Sequence, residues 1–264
     1  MEGPGYDITR YPKSRLPTVD LGRLAARKHV MYGLLEVDVT AARRAVRLLR
    51  RQHQEVSFIA WMIKTIGDCV AHNRRAHAVQ IGNRKLVMFH DVDIALPVER
   101  AVEGAGVPLP VLIKTTNRKT AAQIHAEIQA AINHQIVNER DFILSEHGLS
   151  KLALRLYYAL PSALRVFAMR RLFGNPFRAK TLSGTITVTT VNAIGKSSGW
   201  ILPTRSMHNL SIALGTITRK PWVVDGTVQV REILNLTVAF NHDVIDGVPA
   251  RRFMQDLVSQ IERG

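Results

Sequence analysis

Residues 210–242, LSIALGTITRKPWVVDGTVQVREILNLTVAFNH, constrain the fold more than any other stretch. They are dense in β-branched and aromatic residues, with turn signals only at Arg219-Lys220-Pro221 and at Asp225-Gly226. Three strands are expected there, the last two joined as a hairpin. Upstream, SGTITVTTVNAIG (183–195) alternates strictly, with Ile186, Val188 and Thr190 on one face and Thr185, Thr187 and Thr189 on the other. A sheet built on these strands presents a row of hydroxyls.

The first half mixes element types. HVMYGLLEVDVT (29–40) reads as a strand, with Thr40 placed to cap the basic helix AARRAVRLLRRQHQ (41–54), whose inward residues are expected to be Val46, Leu48 and Leu49. Residues 57–73 are apolar nearly all round and read as a buried helix. Residues 78–98 read as two strands around Gly82-Asn83-Arg84-Lys85, the second ending at Pro97. Residues 107–135 read as a short strand, a polar turn and a helix with Ile124 and Ile128 inward. The expected class is α+β, one domain over 1–264, large enough to bury a sizeable core.

No apolar run approaches the roughly 18 residues of a membrane span, and the N-terminus lacks the layout of a signal peptide, so a cytoplasmic protein is expected. The single cysteine, Cys69, sits in an apolar helix and reads as core rather than nucleophile. The net charge of +15 is unevenly spread: no Asp or Glu occurs between His147 and Val224. Such a field attracts phosphates, acidic proteins or anionic membranes. No nucleic-acid recognition motif accompanies it, and no metal-ligand cluster is expected. Residues 141–178 form an inserted basic amphipathic helical segment, interrupted at Pro161. The favoured reading is a helical hairpin covering the sheet, with a membrane surface, the cap of a pocket or a neighbouring subunit as the alternatives.

The 210–242 run ends in AFNHDVIDGVPARRF (239–253). Leu234, Leu236, Val238 and Phe240 alternate inward, so His242 is expected to point into the protein, where a fixed imidazole serves as a general base near neutral pH. Asp246 is placed to cap a helix opening near Val248-Pro249 or to stiffen the loop, and Gly247 to relax the backbone there. Chance supplies only about 0.03 His-x-x-x-Asp-Gly matches in a chain of this composition.

From these residues onward the chain resembles the acyltransferase component of 2-oxo acid dehydrogenase complexes and, more distantly, chloramphenicol acetyltransferase. FNHDVIDGVPARRFMQDL (240–257) carries the likeness, supported by residues 183–195 and 212–240 and, more weakly, by PVLIKTTNRKT (110–120) back to residue 29. The resemblance implies a mixed sheet with flanking helices and a homotrimer with active sites between subunits. It also implies coenzyme A or acyl-CoA as substrate. His242 matches the base that deprotonates the acceptor, and Thr189 the hydroxyl that stabilises the oxyanion, with Thr190 as the alternative. Asp246 matches a structural carboxylate paired with an N-terminal arginine, for which Arg23 and Arg27 are both candidates. Thr190, Asn192 and Asn241 flank these groups as expected substrate contacts.

Departures from the family pattern are specific. Asn241-His242-Asp243 stands where Asp-His-Arg is usual, Thr189 where serine is usual, and Asn192 where glycine is usual. No lipoyl or subunit-binding domain is expected ahead of the first strand, and no lipoyl group is expected on this chain. The resulting expectation is transfer of a short acyl group from coenzyme A, or from the thioester of an acidic acyl carrier protein, to a small hydroxyl or thiol acceptor. The alternatives are a dihydrolipoamide acyltransferase served by a lipoyl-bearing protein and a non-catalytic trimeric scaffold.

Overall fold

The computed structural model describes residues 5–9, 11, 13–82, 84–102, 105–133, 151–190 and 197–264. In chain order its helices and strands are α1 (Leu16–Ala25), β1 (Val30–Asp38), α2 (Thr40–Arg51), α3 (Phe58–His72), β2 (Val79–Ile81), β3 (Lys85–Val87), β4 (Ile94–Val102) and β5 (Ala105–Ile113). They continue with α4 (Ala121–Asn133), α5 (Lys151–Ala159), α6 (Ser162–Phe173), α7 (Pro176–Ser183), β6 (Ile186–Thr190), β7 (Leu210–Val224), β8 (Thr227–Asn241) and α8 (Gly247–Arg263). A six-stranded mixed sheet has the order β1-β8-β7-β6-β4-β5, in which β6 runs parallel to β4 and β7 and the other pairs are antiparallel. β2 and β3 form a separate small hairpin.

Helices α3, α4 and α8 pack on one face of the sheet. Ile63 and Ile66 of α3, Ile124 of α4 and Phe253 of α8 meet Ile186, Ile212, Leu236 and Phe240 in one continuous core. Phe240 and Phe253 lock sheet to helix edge-to-face, with ring centroids 5.7 Å apart. The other face of β7 and β8 is covered too, but with polar groups: Asn235 Nδ2 donates to Ser198 Oγ (2.8 Å), and Gly199 N to Thr216 Oγ1 (3.0 Å). The burial of β8 from Leu234 through Asn241 therefore does not alternate.

Two prolines read as strand ends lie inside strands. Pro97 pairs with Pro110 in β4–β5, and Pro221 with Val230 in β7–β8. Among the described residues β4 meets β6 only at Ile94 and Ala95, and β6 meets β7 only as far as Leu214. Beyond those points no described residue pairs with the other side of either proline-bearing strand, so the missing N–H costs no ladder bond among them. Residues 210–242 consequently form two long strands, not three, with an irregularity between Leu214 and Ile217. The hairpin at Asp225-Gly226 does form, both residues having positive φ (50° and 76°) as a two-residue turn of matching twist requires.

Thr40 does not cap α2: Thr40 N donates to Asp38 Oδ1 (2.9 Å), and its hydroxyl accepts from Glu232 N (2.8 Å). Of the expected inward residues of α2, Val46 is buried and Leu48 is exposed. Cys69 lies wholly in the core, and burial pushes its thiol well above the usual range. Of residues 141–178, positions 141–150 lie outside the described residues. Of the remainder, α5 and α6 pack against α1, not across the sheet, in a second small cluster of Tyr157, Met169 and Phe173 with Leu21 and Leu24, while Phe177 of α7 meets Phe89 edge-to-face.

Candidate active site

β8 delivers the motif histidine at the end of its pairing with β1, where Val30 faces Asn241. The backbone there is held from several directions. Asn241 O accepts from Val244 N (3.1 Å) and Ile245 N (3.2 Å), and His242 N donates to His29 O (2.7 Å). The Asn241 side chain accepts from Asp243 N (3.2 Å) and donates to Asn209 Oδ1 (3.0 Å), while Asn209 Nδ2 reaches Ala78 O (2.8 Å). Asn241 is thus a buried clamp, the position at which the polar cover of the sheet meets the motif loop.

The His242 side chain itself is exposed in the single chain, contrary to the inward aim expected from alternation. Both faces of β8 are buried up to Asn241, so period two carries no direction at this end, and the turn begins at His242. Asp243, where a basic residue is usual, accepts from His29 Nδ1 at 2.7 Å, which holds its carboxyl below the usual carboxylate range. Lys28 lies behind this pair, donating to Met207 O (2.5 Å), Asn209 Oδ1 (2.9 Å) and His208 O (3.1 Å). Burial pulls its ammonium down to about 8, against the opposing attraction of Asp243. Burial likewise pulls His208 down to about 4, although its ring donates to Ser183 O at 2.7 Å.

Sequence reading missed Lys28, His29 and Asn209. The signal was available: the stretch Arg27-Lys28-His29 precedes β1, and antiparallel pairing of β1 with β8 brings the start of one to the end of the other.

Asp246 occupies the N-cap position of α8, with extended φ and ψ, but its side chain makes no capping hydrogen bond. Among the described residues no ion pair joins it to Arg23 or Arg27; Arg23 sits 3.5 Å from Asp20 instead. Gly247 has no positive φ and open space where a Cβ would sit, so nothing among the described residues of one chain demands glycine there.

The hydroxyl row on β6 divides. Gly184, with φ 80° and its would-be Cβ 2.7 Å from Asp93 O, lets β6 enter tight against the start of β4. Thr185 Oγ1 then donates to Asp93 O and Thr187 Oγ1 to Ala95 O, both at 3.1 Å. Thr189, half-buried, has no hydrogen-bond partner for its hydroxyl among the described residues, and Thr190 is half-buried on the opposite face. Asn192 lies outside the described residues.

Thr189 and His242 do not meet within one chain. Thr189 is level with Ala213 of β7, which is level with Thr237 of β8, so two strand spacings and five residues of rise separate them, about 19 Å. The cavity beside Asn241, lined by Tyr32, Ser206, Asn209, Ser211 and Ala239 among others, holds only about 10 Å³. A larger one of about 560 Å³ lies between Leu35 and the Arg251–Arg263 stretch of α8, displaced from the histidine.

Residues 178–263 match the family model of the 2-oxoacid dehydrogenases acyltransferase (catalytic domain), so the resemblance read from the sequence stands. The lipoamide acyltransferase component of the branched-chain alpha-keto acid dehydrogenase complex of Pseudomonas putida is 33% identical over 93 residues, 34% of this chain and 21% of that protein. The dihydrolipoyllysine-residue acetyltransferase component of the pyruvate dehydrogenase complex of Acholeplasma laidlawii is 36% identical over 72 residues, 27% of this chain and 13% of that protein. The matched stretches thus span about a fifth or less of these relatives. A probable dihydrolipoamide acetyltransferase from Listeria monocytogenes superimposes with a TM-score of 0.67 at 16% identity, covering 98% of this chain and 95% of that one. A chloramphenicol acetyltransferase does so at 0.50 and 11%, covering 97% and 96%. The expected α+β architecture with a chloramphenicol acetyltransferase-like mixed sheet is the one observed.

Proposed function

We propose that this chain, whose residues 178–263 carry the catalytic-domain signature of the 2-oxo acid dehydrogenase acyltransferases, moves an acyl group between coenzyme A and a dihydrolipoyl thiol presented by a lipoyl-bearing partner. The observation that carries this reading is the His-x-x-x-Asp-Gly loop, clamped by Asn241 and His29 inside the matched segment. The lipoyl acceptor takes precedence over the free hydroxyl or thiol expected at first, because the curated relatives are lipoamide and dihydrolipoyllysine-residue acyltransferases. A study of the Azotobacter vinelandii dihydrolipoamide acetyltransferase, 16% identical, addressed a serine, a histidine and an asparagine four positions beyond the histidine in its catalytic mechanism. That spacing is the one from His242 to Asp246.

In the proposed reaction His242 takes the proton from the attacking thiol as its sulfur bonds to the carbonyl carbon of the acyl thioester. The Thr189 hydroxyl donates to the oxyanion of the tetrahedral adduct. Collapse breaks the original carbon–sulfur bond, and the imidazolium returns its proton to the departing thiolate, so no net charge is left behind. With Thr189 about 19 Å from His242 in one chain, the oxyanion donor is supplied by a second copy. A homotrimer with interfacial sites is therefore part of the proposal, and the exposed His242 and the lack of room beside Asn241 both support it.

The test is thiol release from acetyl-CoA with and without dihydrolipoamide. His242→Ala is expected to lower turnover about 100-fold or more with the assembly intact. Thr189→Val is expected to lose most activity and Thr189→Ser to retain it. Co-expressing His242→Ala with Thr189→Val should regenerate some intact sites. Failure to complement in verified mixed oligomers would overturn the shared site, and near-normal turnover in His242→Ala would overturn the base.

A further inference from the structure

We propose that the outer face of α5 and α6 binds the surface of an anionic membrane. Tyr157 on α5 and Arg165, Met169 and Phe173 on α6 turn inward against α1. The opposite stripe of α5 carries Leu152, Arg155 and Leu156, at helical spacing. On α6 the opposite stripe carries Leu164, Phe167 and Arg171. Leu152 is 77% exposed and Phe167 62%, levels at which a large apolar side chain has essentially no cover.

The charges divide in the same way as the apolar residues. Two basic groups of α5–α7 are used internally, Arg165 against Asp20 (2.7 Å) and Lys180 against Asp93 (2.9 Å). Arg155, Arg170 and Arg171 point outward with no acidic partner among the described residues, and the sequence has no acid from His147 to Val224. An outward face that alternates leucine or phenylalanine with unpaired arginine, and lacks any carboxylate, complements lipid phosphates over acyl chains. Arginine stems lie along the interface while their heads reach the phosphates. The two cavities described, beside Asn241 and along α8, lie elsewhere. Among the described residues no helix is long and apolar enough to cross a membrane, so binding is lateral.

Co-sedimentation of the full chain with vesicles tests this without reference to acyl transfer. Vesicles of mixed phosphatidylglycerol and phosphatidylcholine should bind it at least about tenfold better than phosphatidylcholine alone, and about 0.5 M salt should weaken the binding. The exposed pair Leu156→Asp with Phe167→Asp should abolish binding while circular dichroism and solution size stay unchanged, and Phe167→Leu should retain it. No preference for anionic vesicles, or equal binding by the double variant, overturns the proposal. So does a change in oligomeric size in the double variant, which would assign the face to contacts between copies.

Discussion

The sheet and the helical annex are closed by different means. Around the sheet, Val37, Ile66, Ile186, Phe240 and Phe253 come from five elements spread from one end of the chain to the other and are all at most 1% exposed. Where α5 and α6 meet α1, the buried cluster is Tyr157, Met169 and Phe173, and beside it Asp20, fully buried, accepts from Arg165 Nε and from the Tyr157 hydroxyl, each at 2.7 Å. Burial alone would raise the Asp20 carboxyl, but the hydrogen bonds from Arg165 and Tyr157 outweigh it and hold it below the usual range. A large apolar core tolerates the loss of one contact in proportion to its area. A small annex centred on one buried carboxylate depends on that carboxylate being charged.

The largest expected effect is in the sheet. Phe253→Ala removes the ring that faces Phe240 and should cost about 4 kcal/mol in urea unfolding, with both regions lost together. Asp20→Asn should cost about 3 kcal/mol, because it leaves Arg165 buried without its counter-charge. Hydrogen exchange should then rise in residues 151–183 while β7 and β8 stay protected; a uniform rise would break the distinction between the regions. The pH dependence has a definite sign. With its folded pKa lowered, Asp20 contributes stability above its unfolded value of about 3.9 and loses it as pH falls through the folded value, so the annex should loosen in acid before the sheet. The smallest effect lies beside the motif loop: Asp243→Asn removes the attraction that opposes burial at Lys28, and the midpoint of Lys28, followed by NMR, should move below about 8. An upward move would contradict the placement of that charge.

Legibility followed the range of the interactions. α3 was readable because its apolar residues cover the helix all round, and the Asp225-Gly226 turn because its chemistry is local. Pro97 and Pro221 misled because a proline interrupts a strand only where a neighbour needs its N–H, and that neighbour is set by sheet order. The aim of His242 misled for a similar reason: alternation encodes a face only when one face is bare, and Ser198 and Gly199 cover the second.

What the sequence determined by itself was the strand character of residues 186–190 and 210–241, the row of threonines and the histidine placed at a strand end before Asp-Gly, since each is written in neighbouring residues. The tertiary structure alone decided that Thr185 and Thr187 are engaged with β4 while Thr189 has no partner among the described residues, that Asp243 pairs with His29, and that Asp20 holds Arg165. These are contacts between residues far apart in the chain, and periodicity specifies which way a side chain faces but not what stands opposite it.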